Sequence, residues 1–223
     1  VKTITRHNNR IVKEQRNPDK SATIHAGYYK MGGRDQQYLI DREPKVLIKE
    51  EWNPKQTKNY VQSRYLDNRL GVWNALKVSE TLENGVVVFS SWEEHGGGSV
   101  GYLTNFIYNK FKITKALISD ITWVTEGVLA GKGVVISLRD SGIPRRGFVN
   151  KIIDIALKSK IPYQLEVESS GGSDGNEIQN SPYPIDWCFI GAPEQNVHSP
   201  NEKVHKNDID AMVSLYRVLM NKL

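Results

Sequence analysis

Apolar positions fall into two regimes along the chain. Through residue 64, short β-type runs (Val1–Thr5, Ala22–His25, Lys45–Lys49) stand between polar, turn-rich stretches such as Arg16–Ser21 and Met31–Gln37. That pattern predicts a small β-rich unit. From residue 65 strand-like and helix-like segments alternate. Leu70–Leu82 carries Leu70, Trp73, Leu76 and Val78 at helical spacing, and Gly85 introduces the strand-like run Val86–Phe89. Val100–Phe111 reads as helix, Ala116–Ser119 and Gly133–Leu138 as strands, and Gly147–Lys158 as a helix with Phe148, Ile152, Ile155 and Ala156 inward. Tyr163–Val167 and Trp187–Ile190 add two strands. Asn207 or Asp208 caps a last helix whose stripe is Ile209, Met212, Val213, Tyr216, Leu219 and Met220. The alternation predicts an α/β fold, an αβα sandwich with a mostly parallel central sheet over residues 65–223, beside the β-rich domain of residues 1–64.

In such sheets ligands gather outside the carboxyl ends of the strands. Five polar loops are expected at that rim: Ser90–Gly98, Asp120–Gly127, Asp140–Arg146, Ser169–Glu177 and Ala192–Pro200. They bring Glu93, Glu94, Asp120, Asp174 and His198 toward one edge, with Asp67 opening the helix at Leu70. Carboxylates gathered at one place repel one another unless cations hold them. Oxygen-rich sets with one or two imidazoles suit Zn²⁺, Co²⁺ or Mn²⁺, and paired ions hydrolyse amides and phosphoesters. Adjacent Glu93 and Glu94 point in different directions from an extended backbone, so one can ligate while the other serves as base.

Plainer roles compete at each position. Glu93 and Glu94 could be a solvated pair, Asp67 a helix cap, Asp120 a turn cap, and His198 a surface residue. His95 reads as structural or rim-lining and His205 as exposed. Arg145-Arg146 reads as a solvated loop or a carboxylate clamp. Gly96–Gly98 lacks the Gly-Lys-Ser/Thr ending of a phosphate-binding loop and instead lets backbone pass close to the site.

Composition narrows the setting. Of 223 residues, 39% are hydrophobic and 25% charged, which excludes disorder and a disulfide-stapled miniprotein. The net charge of +5 comes from residues 1–60, with 13 basic and 7 acidic side chains against 17 and 18 in the remainder. The basic residues form no run of five, so neither nucleic acid nor membrane is expected as a partner. No stretch approaches a membrane span. A single cysteine, Cys188, fits a reducing, cytoplasmic setting and excludes a Cys-rich zinc site.

Five strings in order are similar to the dinuclear metallo-aminopeptidases of the M42 type, relatives of the M28 and M20 peptidases. They are Tyr65-Leu66-Asp67-Asn68-Arg69-Leu70-Gly71, Ser91-Trp92-Glu93-Glu94 followed by glycines, Ser119-Asp120-Ile121-Thr122, Gly171-Gly172-Ser173-Asp174, and Val197-His198-Ser199-Pro200. The resemblance implies Asp67 as bridging carboxylate, Glu94, Asp120 and His198 as terminal ligands of two divalent metal ions (Zn or Co, with Mn also accommodated), and Glu93 as general base for the attacking water. It also implies that Asp174, Ser173 and Gly172 shape the substrate loop or support the ligands. A peptide substrate, a homo-oligomer and a dimerisation-type role for the inserted domain follow from the same resemblance. The family's His-x-Asp motif, which supplies a second histidine, is expected just before Val1. Otherwise His7 or His25 would have to replace it, or the chain would be a silent relative serving as an assembly or binding subunit. An amidohydrolase of small acylated amino acids is the alternative within the same chemistry.

Overall fold

The structure is a computed structural model. It describes residues 54–168 and 171–223 with their side chains, and within residues 1–53 the backbone of five strands. Two compact units result, Val1–Asn53 and Pro54–Leu223. In the first, β1 (Lys2–His7) pairs antiparallel with β2 (Arg10–Arg16) and parallel with β3 (Ile24–His25), while β4 (Tyr28–Lys30) and β5 (Gln37–Leu39) form a separate antiparallel pair. The expected strand Lys45–Lys49 lies outside the described residues.

The second unit is built on a seven-stranded sheet. In chain order its elements are β6 (Lys55–Gln56), β7 (Tyr60–Ser63), α1 (Leu66–Ser79), α2 (Val100–Phe111), β8 (Lys115–Trp123), β9 (Val134–Arg139), α3 (Arg146–Ser159), β10 (Tyr163–Val167), α4 (Gly175–Gln179), β11 (Asp186–Gln195), β12 (Glu202–His205) and α5 (Lys206–Lys222). The strands lie in the order β10-β9-β11-β12-β7-β6, with β8 also on β11. The two longest ladders, β8 with β11 over nine positions and β10 with β9 over five, are parallel. The sheet as a whole is mixed, because β9 runs antiparallel to β11 and the β12, β7 and β6 edge is antiparallel throughout.

Alternation along β11 assigns the two faces. Cys188, Ile190 and Ala192 enter the main core with residues of α1, α3 and α5, whereas Trp187 and Phe189 join Val100 of α2 and Ile178 of α4 in a second cluster. A strand sends successive side chains to opposite faces, and each face is roofed by helices, so the αβα sandwich holds. On α3, Phe148, Ile152, Ile155 and Ala156 are buried as their spacing predicts, and on α5 Leu215 joins the expected stripe while Met220 is half-buried.

Several expectations are corrected. Val86–Phe89 forms no strand, and Val86, Val88 and Phe89 are exposed. On α1 the buried line is Leu66, Leu70, Asn74 and Val78, while Trp73 and Leu76 face solvent. Asn74 is tolerated there because its amide donates to Ser119 Oγ at 2.8 Å. The strands carrying the five loops are not all parallel, since β9 runs antiparallel to β11. Neither Asn207 nor Asp208 caps α5. His205 does so, accepting from Asn207 N, and it is half-buried against Tyr60 rather than exposed. The Asp208 carboxylate instead accepts from Gly131 N and Gly133 N at 2.6 and 2.7 Å, holding the entry to β9 against α5.

A second buried acid, Glu166 on β10, accepts from Thr122 Oγ1 at 2.6 Å. Burial pushes its carboxyl up to about 7 against the opposing Thr122 hydrogen bond. The folded chain therefore keeps this proton where the unfolded chain releases it near 4.5, so Glu166 removes stability as pH rises from about 4.5 to 7 and removes no more above that. In thermal melts across this range, Glu166→Gln is expected to gain on the parent protein with rising pH. A constant difference between the two would refute the assignment.

Candidate functional site

Asp67, Glu94 and His198 converge from three parts of the second unit. His198 Nε2 lies 3.0 Å from Asp67 Oδ2 and 3.4 Å from Glu94 Oε1. One donor atom from each residue falls within 4.8 Å of the other two, a spacing able to hold a metal ion.

Each is aimed by a local device. Asp67 and Asn68 leave helical backbone angles at the start of α1, and the peptide between them is cis. The Asn68 side chain donates to Ser119 O at 3.0 Å and accepts from Gly71 N at 2.9 Å, binding this irregular turn to β8. Gly71 is required by that approach, because a Cβ there would lie 2.1 Å from Ser119 O. Glu93 and Glu94 begin a 3₁₀ turn, Glu93–His95, after Trp92, whose φ is 66°. Ser99 Oγ accepts from Ser91 N, and Gly98 passes so close to Ser91 O that a Cβ would come within 2.0 Å. His198, itself at φ 58°, sits in the loop between β11 and β12, which Asn196 and Ser199 brace through hydrogen bonds to Asn201.

The electrostatics are those of crowded acids. The Asp67 carboxylate, then Glu94, holds the His198 imidazolium up to about 11, and the same contact lowers Glu94. Burial, then Glu94, Asp174 and Asp67, push Glu93 up to about 7. Asp120 is buried, and desolvation and the Asp67 charge drive its carboxyl well above the ordinary range although Ile121 N donates to Oδ1 at 2.8 Å. It stands within β8, not in the loop after it. Asp174 accepts from Ser90 Oγ at 2.5 Å and is raised chiefly by burial, while its other oxygen is buried with no donor among the described residues.

Asp67, Glu93, Glu94, Asp120, Asp174 and His198 thus share one electrostatic neighbourhood, of which three lie within range of a common ion. Ser173 and Gly172 lie beside Asp140 and Ser141: Ser173 Oγ donates to Asp140 Oδ2 at 2.7 Å, and a Cβ on Gly172 would touch Ser141 Oγ. The side chains of His7 and His25 fall outside the described residues. Arg145 is paired with Asp186. The Cys188 thiol is buried and pushed up to about 12 by desolvation, which removes it as a nucleophile.

Two acids escaped the sequence reading. Glu202 accepts from Leu66 N at 2.6 Å and from Asp67 N at 3.4 Å, joining the strand after His198 to the turn carrying Asp67. Glu194 is 1% exposed and lies electrostatically beside Glu202, Asp67 and Asp120. An acid two residues after Gly-Ala in an apolar run was the only available signal for it.

An αβα hydrolase-type fold with a carboxylate and imidazole group able to hold metal is the class defined so far. The chain belongs to the M42 glutamyl aminopeptidase family, whose model matches residues 32–215. The "Putative aminopeptidase" of Acetivibrio thermocellus is 31% identical over 169 residues, covering 70% of this chain and 49% of that protein. The TET1 peptidase of Pyrococcus horikoshii, described as assembling into a tetrahedron or a large octahedral shell, superposes with a TM-score of 0.66 at 26% identity, over 87% of this chain and 66% of that one. An aminopeptidase from the archaeon Desulfurococcus kamchatkensis shares the fold, with a TM-score of 0.68 at 21% identity over 88% and 64% of the two chains. The chain spans about half the length of the curated relative it matches. Among the described residues no helix is long and apolar enough to cross a membrane.

Removing the Glu202 carboxylate leaves Leu66 N buried without a partner, at a cost of about 2 kcal/mol. Glu202→Ala is therefore expected to lower the melting temperature by roughly 4–8 °C, at 2–4 °C per kcal/mol for a chain of this size. An unchanged melt would show that the bond does not hold Asp67 in place.

Proposed function

We propose that this chain carries the catalytic unit of a metal-dependent aminopeptidase that removes N-terminal residues from peptides. The convergence of Asp67, Glu94 and His198 on a common ion-sized space, in a member of the M42 family, is the observation that carries the reading. Asp67 would be shared by two divalent cations, Glu94 and His198 completing one set and Asp120 serving the other. Carboxylate and imidazole donors in this mixture accept Zn²⁺, Co²⁺ or Mn²⁺. When bound, such ions polarise the scissile carbonyl and lower the pKa of water.

Glu93 acts as the base. Its carboxylate takes the proton of the attacking water and returns it to the nitrogen of the leaving amine. A carboxyl poised near 7 by burial and by Glu94 suits that exchange, and a nearby cation would pull it toward the ionised form. Asp174, oriented by Ser90, borders Glu93 from the loop preceding α4 and supports the substrate side of the site, with Gly172 and Ser173 shaping the loop behind it. The first unit, ending at Asn53 rather than at the expected residue 64 because β6 and β7 belong to the sheet of the second, serves as the inserted domain of a homo-oligomer, a reading supported by the assembly described for the Pyrococcus horikoshii relative.

Glu93→Gln removes the base while leaving all the proposed ligands. Turnover of an unblocked peptide is expected to fall by about 10²–10⁴-fold, with bound metal unchanged by elemental analysis. Retention of most activity would refute the role of Glu93. A parent protein that hydrolyses acylated amino acids in preference to free N-termini would refute the aminopeptidase assignment instead.

A further inference from the structure

Glu194 is the least accounted-for polar group in the second unit. It lies on β11 opposite Val204 of β12 and Trp123 of β8, four residues before His198, and is 1% exposed. Both carboxylate oxygens are buried, and neither has a donor among the described residues. A buried carboxylate without donors is among the costliest groups a fold can contain, and a structure keeps one where an ion or a proton completes it. The charged groups nearest to it are Glu202, Asp67 and Asp120, all acids, and then His198. Asp67 and His198 belong to the group able to hold a metal, and Glu202 borders it by accepting from Asp67 N. No lysine or arginine side chain is among these neighbours.

We propose that Glu194 is a further acid of the cation site, a buried counter-charge behind Asp67 that strengthens the site's hold on a divalent ion. The inference rests on the metal-dependent reading above. It adds a residue from the apolar stretch of β11 to a site otherwise assembled from the start of α1, the 3₁₀ turn and the loop after β11. The cation lowers the cost of the buried charge, and the buried charge in turn raises affinity for the cation. Glu194 stands outside the group whose donor atoms can share an ion, so it acts through its charge rather than as a ligand, and it strengthens Mn²⁺ and Zn²⁺ binding alike.

The test is cation binding and thermal stability of the full chain, stripped with chelator and titrated with Mn²⁺ or Zn²⁺ alone. Glu194→Gln keeps the shape and removes the charge, and Glu194→Met is the second variant should the first fold poorly. The stripped variants are expected to melt above the stripped parent, because the parent must hold a proton on a buried carboxyl that the unfolded chain releases. Affinity for Mn²⁺ and for Zn²⁺ is expected to drop about 10–100-fold. A carboxylate with a merely structural role would shift the melts with and without metal alike. If the parent binds cation and the variants match its affinity, the role of Glu194 is overturned while the metal-dependent reading stands. If the parent itself binds neither ion, that reading falls and this inference with it.

Discussion

One buried hydrogen bond organises the site: the Glu202 carboxylate accepting Leu66 N–H at 2.6 Å. Leu66 begins α1, where the first N–H groups have no partner within the helix, and a carboxylate there satisfies a donor and complements the positive end of the helix dipole. The same side chain belongs to β12, four residues beyond His198, and reaches Asp67 N as well. A routine requirement of helix initiation thereby fixes the distance between a carboxylate at the helix start and an imidazole in a strand-connecting loop. The backbone donors hold the Glu202 charge down while burial raises it, so the contact itself helps keep an acid ionised in a place that disfavours charge.

The charges around that link do not balance within the second unit. Glu93, Asp120, Asp174, Glu194 and Glu202 are all displaced upward, chiefly by burial, and His198 takes a proton from the field of Asp67 and Glu94. Two like charges 4 Å apart repel by about 4 kcal/mol at an effective dielectric of 20, so several ionised acids cannot coexist in this space without compensation. Protons are one compensation and divalent cations another. The Asp67, Glu94 and His198 donors lie close enough to share one ion.

Periodicity made the helices legible, and Phe148, Ile152 and Ile155 or Ile209, Met212 and Tyr216 lie where their spacing puts them. Motif order made Asp67, Glu94 and His198 legible as one group, although nothing in the sequence encodes their 3.0 and 3.4 Å separations. What failed was whatever depends on a partner. Val86–Phe89 has the composition of a strand, but composition does not supply a neighbour to pair with. Trp73 and Leu76 fall on the wrong side of α1 because Asn74 finds Ser119 and takes the inward position. Glu194 was hidden because Ala192–Pro200 reads as a polar loop, whereas β11 continues through Gln195 and buries the acid.

Backbone conformation shows where the fold has concentrated its local constraints. Among the described residues six non-glycine positions have positive φ; Lys112 and Lys160 are C-caps of α2 and α3, and the other four are Tyr65, Trp92, Asn196 and His198. All four lie at, or within two residues of, Asp67, Glu93, Glu94 or His198. Left-handed backbone costs about 1 kcal/mol or more for a side-chain-bearing residue and persists only where the surroundings enforce it. At Trp92 the enforcement is visible: Ser91 and Ser99 close a loop through two hydrogen bonds, and Gly98 has no Cβ to prevent it. The glycines after Glu94 are therefore part of the device that gives two consecutive carboxylates different neighbours, Glu94 beside His198 and Glu93 in the field of Asp174 and Asp67. Ordinary strand geometry would send that pair to opposite faces of the sheet. The tight turn instead leaves both within reach of the His198 charge.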